Sequence, residues 1–176
     1  IKVPGDISSA AFPIASACMI PNSEIVIKNV GLNPLRDGFI DTLIEMGANI
    51  KIKNKNLETG ELVADIHVTY SPNLKGIEVP KERSPRMIDE YPILSILAAT
   101  AKGPTIMNGI KELRFKESDR ISAVSDGLMR SGVSVSEKQD KLIIFGRGNQ
   151  KIKGGSTIDA SNDHRIAMSF AILGSI

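Results

Sequence analysis

The feature that most limits the fold of this chain is an internal repeat. The residues Leu43–Ile50 match Leu128–Val135 in pattern, 85 positions later, with a helix end, a glycine and a β-type run. An acidic residue opens an Ala-rich stretch in each copy, at Asp6 and at Asp89, and a third copy begins at Asp163. This spacing is neither a solenoid period nor a Rossmann alternation. We therefore expect an α/β domain of repeated units packed around shared helices.

Local patterns assign helices and strands to these copies. Apolar periodicity predicts helices at Ser8–Met19, Arg36–Met46, Tyr91–Ala101, Ser118–Ser131 and Asp163–Leu173. Short β-type runs predict strands at Ser23–Val30, Ile50–Lys53, Ile66–Tyr70, Ile77–Val79, Thr105–Ile110, Val133–Ser136, Leu142–Phe145 and Thr157–Asp159. Each copy then has the order strand, helix, strand, helix, strand, strand. We expect one globular domain over residues 1–176, with unit one at about 1–73, unit two at about 74–150 and the start of unit three at about 151–176.

Glycine and proline positions refine the helix ends. Gly47, Gly103 and Gly132 follow helical runs, where a glycine that closes the helix is expected. Pro13 falls inside the first predicted helix and is expected to shift the start of that helix or to bend it.

Charge balance and cysteine content exclude several classes of protein. The 22 basic and 20 acidic residues give a formal net charge of +2, which is too balanced for a general nucleic-acid binder. The single cysteine, Cys18, excludes an internal disulfide and a cysteine zinc cluster, so a reducing, cytoplasmic location is expected. No apolar run approaches the roughly 18 to 20 residues of a membrane span, and no signal peptide is visible. Both ends, at Ile1 and at Ile166–Ile176, suggest part of a longer protein.

The densest polar cluster lies at the predicted start of the fourth helix. If the helix already includes this segment, Lys116 and Arg120 share a face, and Glu117 is also a neighbour of Arg120. Free N–H groups and the helix dipole favour anions at a helix N-terminus, so an anionic ligand would accommodate the two cations there. The alternative is a solvated first turn that is capped by Ser118 or Asp119.

A second cluster precedes the fifth predicted helix. Asn162 or Asp163 is the expected cap, and His164 and Arg165 place cationic groups beside the helix N-terminus. The alternative to a binding role is a capped helix with an exposed arginine. The local pattern leaves both interpretations open.

Two further helix starts carry a carboxylate. Asp89 ends an extended segment and begins a helix, so it either caps that helix or accepts a proton from a substrate hydroxyl. Asp6 has no cation near it in the sequence, so capping is its expected role.

The repeat links these clusters to one another. Asp89 and Asp163 occupy corresponding places in successive copies, so the helix N-termini are expected to point to one pole of the domain. Asp89, Lys116, Arg120 and Arg165 could then converge on one surface. Fixed cations beside a carboxylate suit a small, multiply anionic substrate that must lose a hydroxyl proton.

At these clusters the sequence resembles the 5-enolpyruvylshikimate-3-phosphate synthase (EPSP synthase) family, and its motifs are most similar to those of alphaproteobacterial members. The matching stretches run through the whole chain in order: Val3–Phe12, Asn29–Pro34, Lys116–Arg120 and Asn162–Met168. The likeness to alphaproteobacterial members is strongest at Ala11–Ile14 and Met87–Pro92. The resemblance implies an inside-out α/β barrel of the enolpyruvyl-transferase type, with repeated βαβαββ units around buried parallel helices. This chain would hold two units and the start of a third.

The resemblance also implies a reaction and its residues. The family moves the enolpyruvyl group of phosphoenolpyruvate to the 5-hydroxyl of shikimate 3-phosphate and releases phosphate, with no metal or organic cofactor. By motif, Asp89 corresponds to the acceptor of the hydroxyl proton, Glu117 to the acid that acts at the methylene carbon, and Lys116 to a shikimate 3-phosphate contact. The residues that correspond to the phosphoenolpyruvate site are Arg120, Arg165 and the adjacent His164. No role is carried over to Glu112, where some relatives have Asn.

The resemblance covers only one wall of the cleft. Further site residues of the family lie in an N-terminal portion and near its C-terminus, so those segments are the expected partners and the isolated chain is expected to be inactive. Neither nucleic acid nor a membrane is an expected partner. The alternatives are a non-catalytic anion-binding module, a UDP-N-acetylglucosamine enolpyruvyl transferase and an RNA-processing cyclase.

Overall fold

The computed structural model describes residues 2–148 and 150–176. In these ranges the helices are α1 (Ile7–Met19), α2 (Gly38–Glu45), α3 (Tyr91–Thr100), α4 (Arg120–Arg130) and α5 (His164–Leu173). The strands are β1 (Glu24–Gly31), β2 (Asn49–Glu58), β3 (Glu61–Thr69), β4 (Glu78–Val79), β5 (Lys102–Asn108), β6 (Ser134–Lys138) and β7 (Lys141–Arg147). Short 3-10 helices lie at Lys81–Arg86, Ile88–Glu90 and Lys111–Phe115.

The strands form two separate β-sheets. One sheet has the order β1-β3-β2 and is antiparallel throughout. The other has the order β4-β5-β7-β6, in which only the β4–β5 pair is parallel. From β4 to β7 the chain has the order βαβαββ. The preceding part has the same order, except that an isolated bridge between Gly5 and Val30 stands in place of the first strand.

Helix α3 forms the centre of the core. Nine of its ten residues are buried, because the helix is apolar on every side and contacts α1, α4, α5 and β7. The one polar side chain in its middle, Ser95, is satisfied within the helix by a bond to the Tyr91 carbonyl at 2.7 Å. Burial of each of its large apolar side chains stabilises the fold by about 1.5–3 kcal/mol.

The sequence repeat corresponds to a repeated helix ending. The Ala48 N–H donates to the Leu43 carbonyl, and the Val133 N–H donates to the Leu128 carbonyl, both at 2.9 Å. This is the bond pattern of a helix that ends on a left-handed residue. The residues in that conformation are Gly47 at φ 90° and Gly132 at φ 77°, which confirms both predicted caps.

Pro13 leaves the start of α1 in place, because the helix begins at Ile7 with Asp6 as its cap. The alternative, a bend at Pro13, stays a prediction. Three local predictions are wrong. Gly103 lies in β5, because α3 ends at Thr100. Residues 157–159 form no strand, because no neighbouring strand pairs with them in the described residues. The fourth helix begins at Arg120, because the Asp119 carboxylate caps it by accepting from the Ser122 N–H.

Helices α4 and α5 pack closely at Gly127 and Phe170, in the second half of each helix. A Cβ at Gly127 would lie 2.2 Å from the Phe170 ring. We expect Gly127→Ala to destabilise the chain by about 1–3 kcal/mol through overpacking, despite the better helix propensity of alanine. Urea unfolding measures this loss. Phe170→Leu should recover part of it in the double variant, and additive losses would contradict the proposed clash.

Candidate functional site

The N-termini of α3, α4 and α5 meet around the carboxylate of Asp89. The Arg120 guanidinium lies 3.0 Å from one carboxylate oxygen, and Lys116 Nζ lies 3.7 Å from the same oxygen. Arg165 lies 3.5 Å from the other oxygen and also donates to the Asp89 backbone carbonyl at 3.3 Å. Asp89 itself caps no helix, since it lies in the 3-10 turn before α3. The structure therefore brings together four of the residues that the sequence singled out.

Arg120 is the buried centre of this cluster. Its side chain is 1% exposed, and its Nε donates to Asp163, which is fully buried, at 2.8 Å. Glu117, three residues earlier in the chain, forms a further ion pair with Arg120. Since each guanidinium nitrogen has a carboxylate partner, Arg120 is held in one orientation.

Asp163 connects α5 to the cluster. One of its oxygens accepts from the Arg165 N–H at 2.9 Å as the cap of α5, and the other accepts from Ser118 at 3.1 Å. Burial alone would raise the pKa of this carboxyl, but the bonds from Arg120 and from the Arg165 N–H outweigh burial and hold the pKa below its ordinary value. Asp163 is therefore an ionised, buried anchor for both arginines.

Lys116 and Glu117 precede α4 rather than lie in its first turn. The backbone of Lys116 has φ −84° and ψ −154°, so the shared helix face expected for Lys116 and Arg120 is wrong, although both reach Asp89. The Lys116 ammonium also contacts Glu112 at 2.8 Å, and this carboxylate raises the pKa of Lys116. The Glu117 side chain is 52% exposed, which leaves it accessible to a ligand.

His164 is the candidate that the cluster does not include. Its side chain is exposed at the start of α5, and no hydrogen bond or ion pair to it is present in residues 2–148 and 150–176. Arg165, the next residue, turns inward and its side chain is 16% exposed.

A second group of polar residues beside Asp89 escaped the sequence analysis. Arg36 donates to Asp6 at 2.8 Å and to Ser8 at 3.0 Å, so Asp6 does have a cationic partner besides capping α1. Glu90 follows Asp89 and is 3% exposed, and its Oε1 has no hydrogen-bond partner among the described residues. Arg36 lies 30 residues from Asp6, a separation at which no local pattern signals a contact.

Glu90 gives this region a distinct pH dependence. Burial raises the pKa of Glu90, although Ser8 and the charge of Arg165 act in the opposite direction. The unfolded chain releases this proton at a lower pH than the folded chain does, so ionisation of Glu90 costs stability as the pH rises above about 4.3. We expect Glu90→Gln to be more stable than the parent at pH 7 by at least about 1 kcal/mol, and to lose this advantage below pH 4.

Denaturant unfolding between pH 3 and pH 8 checks the Glu90 prediction. Glu82→Gln, at an exposed glutamate, is the matched control and should leave the profile unchanged. A Glu90→Gln advantage that does not depend on pH would contradict the prediction.

Neither a metal centre nor a membrane-crossing helix is found in the described parts of the chain. No three His, Cys, Asp or Glu side chains come close enough to form a metal-binding group within residues 2–148 and 150–176. Over the same residues, each helix is too short or too polar to cross a bilayer.

Comparison with protein families gives a match over the full chain. The family model described as EPSP synthase (3-phosphoshikimate 1-carboxyvinyltransferase) matches residues 1–176. Proteins named 3-phosphoshikimate 1-carboxyvinyltransferase are 50% identical in Roseobacter denitrificans and 55% identical in Cereibacter sphaeroides, each over 174 residues and 99% of this chain. These matches cover 39% and 38% of the two relatives, so the chain spans about two fifths of their length.

Solved structures agree with the sequence comparison. An EPSP synthase from Acinetobacter baumannii is 44% identical, with a TM-score of 0.95 over 99% of this chain and 40% of that protein. The enolpyruvyl transferase NikO from Streptomyces tendae has a TM-score of 0.73 at 16% identity, over 99% of this chain and 37% of that protein, and supports the fold alone. The predicted fold class, repeated βαβαββ units of the enolpyruvyl-transferase type, is confirmed.

Proposed function

The chain belongs to the EPSP synthase family, and from this we propose that it supplies one wall of an active site for enolpyruvyl transfer. The reaction would move the enolpyruvyl group of phosphoenolpyruvate to the 5-hydroxyl of shikimate 3-phosphate and release phosphate. The observation that carries the proposal is the contact of one partly exposed carboxylate, Asp89, with Lys116, Arg120 and Arg165. Both proposed substrates are multiply anionic, and one of them must lose a proton.

Asp89 and Glu117 are the proposed proton-transfer groups. Asp89 would accept the proton of the 5-hydroxyl while the hydroxyl oxygen forms a bond to the substituted carbon of phosphoenolpyruvate. Glu117 would protonate the methylene carbon in the same addition. Loss of phosphate from that carbon, with return of the methyl proton to the enzyme, would restore the double bond and balance the reaction. The exposed fractions of the two side chains, 36% for Asp89 and 52% for Glu117, support access to a ligand.

The cations are proposed to divide between the two substrates. Lys116 would contact shikimate 3-phosphate, and Arg120 and Arg165 would hold the phosphoenolpyruvate anion, with His164 beside them. A guanidinium can bind a carboxylate or phosphate through two parallel hydrogen bonds. The anchoring of Arg120 by Asp163 supports a fixed position for that group before any ligand arrives.

The same proposal extends to organisation and location. We propose that the units divide at about residues 73 and 150, that the chain works with segments corresponding to the rest of its relatives, and that it is inactive by itself. The match covers only 39% of the length of the Roseobacter denitrificans relative, which supports the proposal that further segments are needed for activity. A cytoplasmic location is also proposed, and the single buried free thiol, Cys18, is consistent with it.

Ligand discrimination tests the proposal against its alternatives. We expect shikimate 3-phosphate to shift the backbone amide NMR signals of residues 116–120 in a weak but saturable way, and UDP-N-acetylglucosamine and RNA ends to leave them unchanged. Lys116→Ala should weaken the binding, whereas Lys53→Ala, at an exposed strand lysine, should not. Preference for the UDP-sugar would favour the other enolpyruvyl transferase, and preference for RNA ends would favour a cyclase.

A further inference from the structure

Three cations form one cross-strand row at the end of α3 that is remote from Asp89. In the β5–β7 ladder, Lys102 lies directly opposite Arg147. Lys75 lies directly opposite Lys102 on its other side, in a parallel bridge. Backbone bonds fix this bridge, because the Lys102 N–H donates to the Leu74 carbonyl at 2.8 Å and its carbonyl accepts from the Gly76 N–H at 2.9 Å. Side chains opposite each other across a ladder share a face of the sheet, and like charges at such positions are destabilising.

The row lies in a cavity whose described lining residues include no carboxylate. The cavity has a volume of about 550 Å³, and besides the three cations its polar side chains are those of Asn73, Thr100 and Gln150. None of the three cations forms an ion pair with any residue that the structure describes. The volume is within the range of small-molecule sites, which is about 300–1,000 Å³.

Arg147 is incompletely satisfied at this cavity. Its guanidinium donates from Nη1 to the Gly132 carbonyl at 2.7 Å, but its Nε is buried and has no partner in residues 2–148 and 150–176. A buried donor without a partner is destabilising, and such groups in native proteins point to an unseen ion or water.

Other lysine-rich surfaces of the chain differ from this row. On the other sheet, Lys53 lies opposite Asp65, so a carboxylate balances the lysine. A larger cavity, of about 780 Å³, is lined by three lysines, Lys81, Lys138 and Lys141, and by three carboxylates, Glu78, Glu82 and Asp140. The negative end of the α3 dipole favours cations nearby, but this effect is small and falls off within the last turn, so it does not explain three unpaired cations.

We infer that the cavity formed by Lys75, Lys102 and Arg147 is a binding site for a diphosphate group, separate from the proposed active site. Three positive charges on one face exceed the charge of about −1.5 to −2 that a single phosphate monoester carries at neutral pH, so they match a diphosphate better than one phosphate. Adjacent strands are about 4.8 Å apart, so the row spans about 10 Å, which is wide for one phosphate. The ten residues of α3, about 15 Å of helix, separate this site from Asp89.

Residue-resolved NMR tests the site with the chain as it is. Inorganic diphosphate is titrated into ¹⁵N-labelled chain at low salt, with orthophosphate and ADP in parallel. We expect saturable shifts at the amides of Gly103, Gly146 and Gly148, tighter binding of diphosphate than of orthophosphate, and at least tenfold weaker binding in the Lys75→Ala/Lys102→Ala variant. Lys51→Ala/Lys53→Ala removes the same charge from the other sheet and should bind normally. Binding of ADP as tightly as diphosphate would identify the group as that of a nucleotide, and weaker binding of ADP would identify free diphosphate.

Several results would overturn the inference. These are an absence of shifts at the three glycine amides, equal affinity for orthophosphate and diphosphate, or unchanged binding in the Lys75→Ala/Lys102→Ala variant. A lower thermal midpoint of that variant without any anion binding would assign the row to helix stabilisation instead. Shifts confined to residues 116–120 would place diphosphate in the proposed active site, so failure of this inference is distinguishable from failure of the proposed function.

Discussion

Replacement of Asp163 by alanine is expected to lower the free energy of unfolding by about 3–5 kcal/mol, because it leaves the buried guanidinium of Arg120 without its closest buried partner. The substitution also removes the cap of α5 and the acceptor for Ser118. Urea unfolding at pH 7, followed by circular dichroism, measures the loss.

An exposed ion pair provides the matched control for Asp163. Glu112→Ala removes a carboxylate from Lys116, but the Glu112 side chain is 65% exposed, so the expected loss is at most about 1 kcal/mol. The pKa of Asp163 is lower in the folded chain than in the unfolded chain. The ionised carboxylate therefore stabilises the parent protein at neutral pH, and this stabilisation should be lost as the pH falls below about 3.9. The cost of Asp163→Ala should therefore shrink in acid, and a cost below about 1 kcal/mol at pH 7 would contradict the anchoring role.

Asp89→Asn should lower the turnover of an assembled enzyme by about 10²- to 10⁴-fold, because the amide cannot accept the hydroxyl proton. The assay uses a chimera in which this chain replaces the matching 174 residues of the Cereibacter sphaeroides relative, to which it is 55% identical. Steady-state phosphate release gives kcat and KM for both substrates.

A carboxylate on the exposed side of α4 provides the control for Asp89. Asp126→Asn makes the same chemical change at an exposed position, and kcat should stay within about twofold of the parent value. If Asp89→Asn in a folded chimera kept more than a tenth of the parental kcat, proton acceptance by Asp89 would be wrong.

The repeat predicted the meeting of the three helix N-termini because it fixed equivalent positions in successive copies. Asp89, Lys116, Arg120 and Arg165 could therefore be grouped before any contact was known. The prediction that Lys116 and Arg120 share a helix face was wrong, since Lys116 has an extended backbone and contacts Asp89 from the segment before α4.

Pairs formed by tertiary packing could not be predicted in the same way. Arg120 and Asp163 are 43 residues apart, and both were interpreted through their own helix ends. The burial of Glu90 depends on the approach of α1 to α3, which its neighbours in the sequence do not reveal. The row of Lys75, Lys102 and Arg147 depends on strand register, which the alternation of single strands leaves undetermined.

Phosphate release from phosphoenolpyruvate in the presence of shikimate 3-phosphate tests the central claim most directly. It is measured for this chain alone and for the chimera with the Cereibacter sphaeroides relative. The account predicts no turnover by the isolated chain, turnover by the chimera, and loss of that turnover on Asp89→Asn or Glu117→Gln. Turnover by the isolated chain, or a folded chimera without turnover, would contradict the proposal that this chain forms one wall of an enolpyruvyl-transfer site.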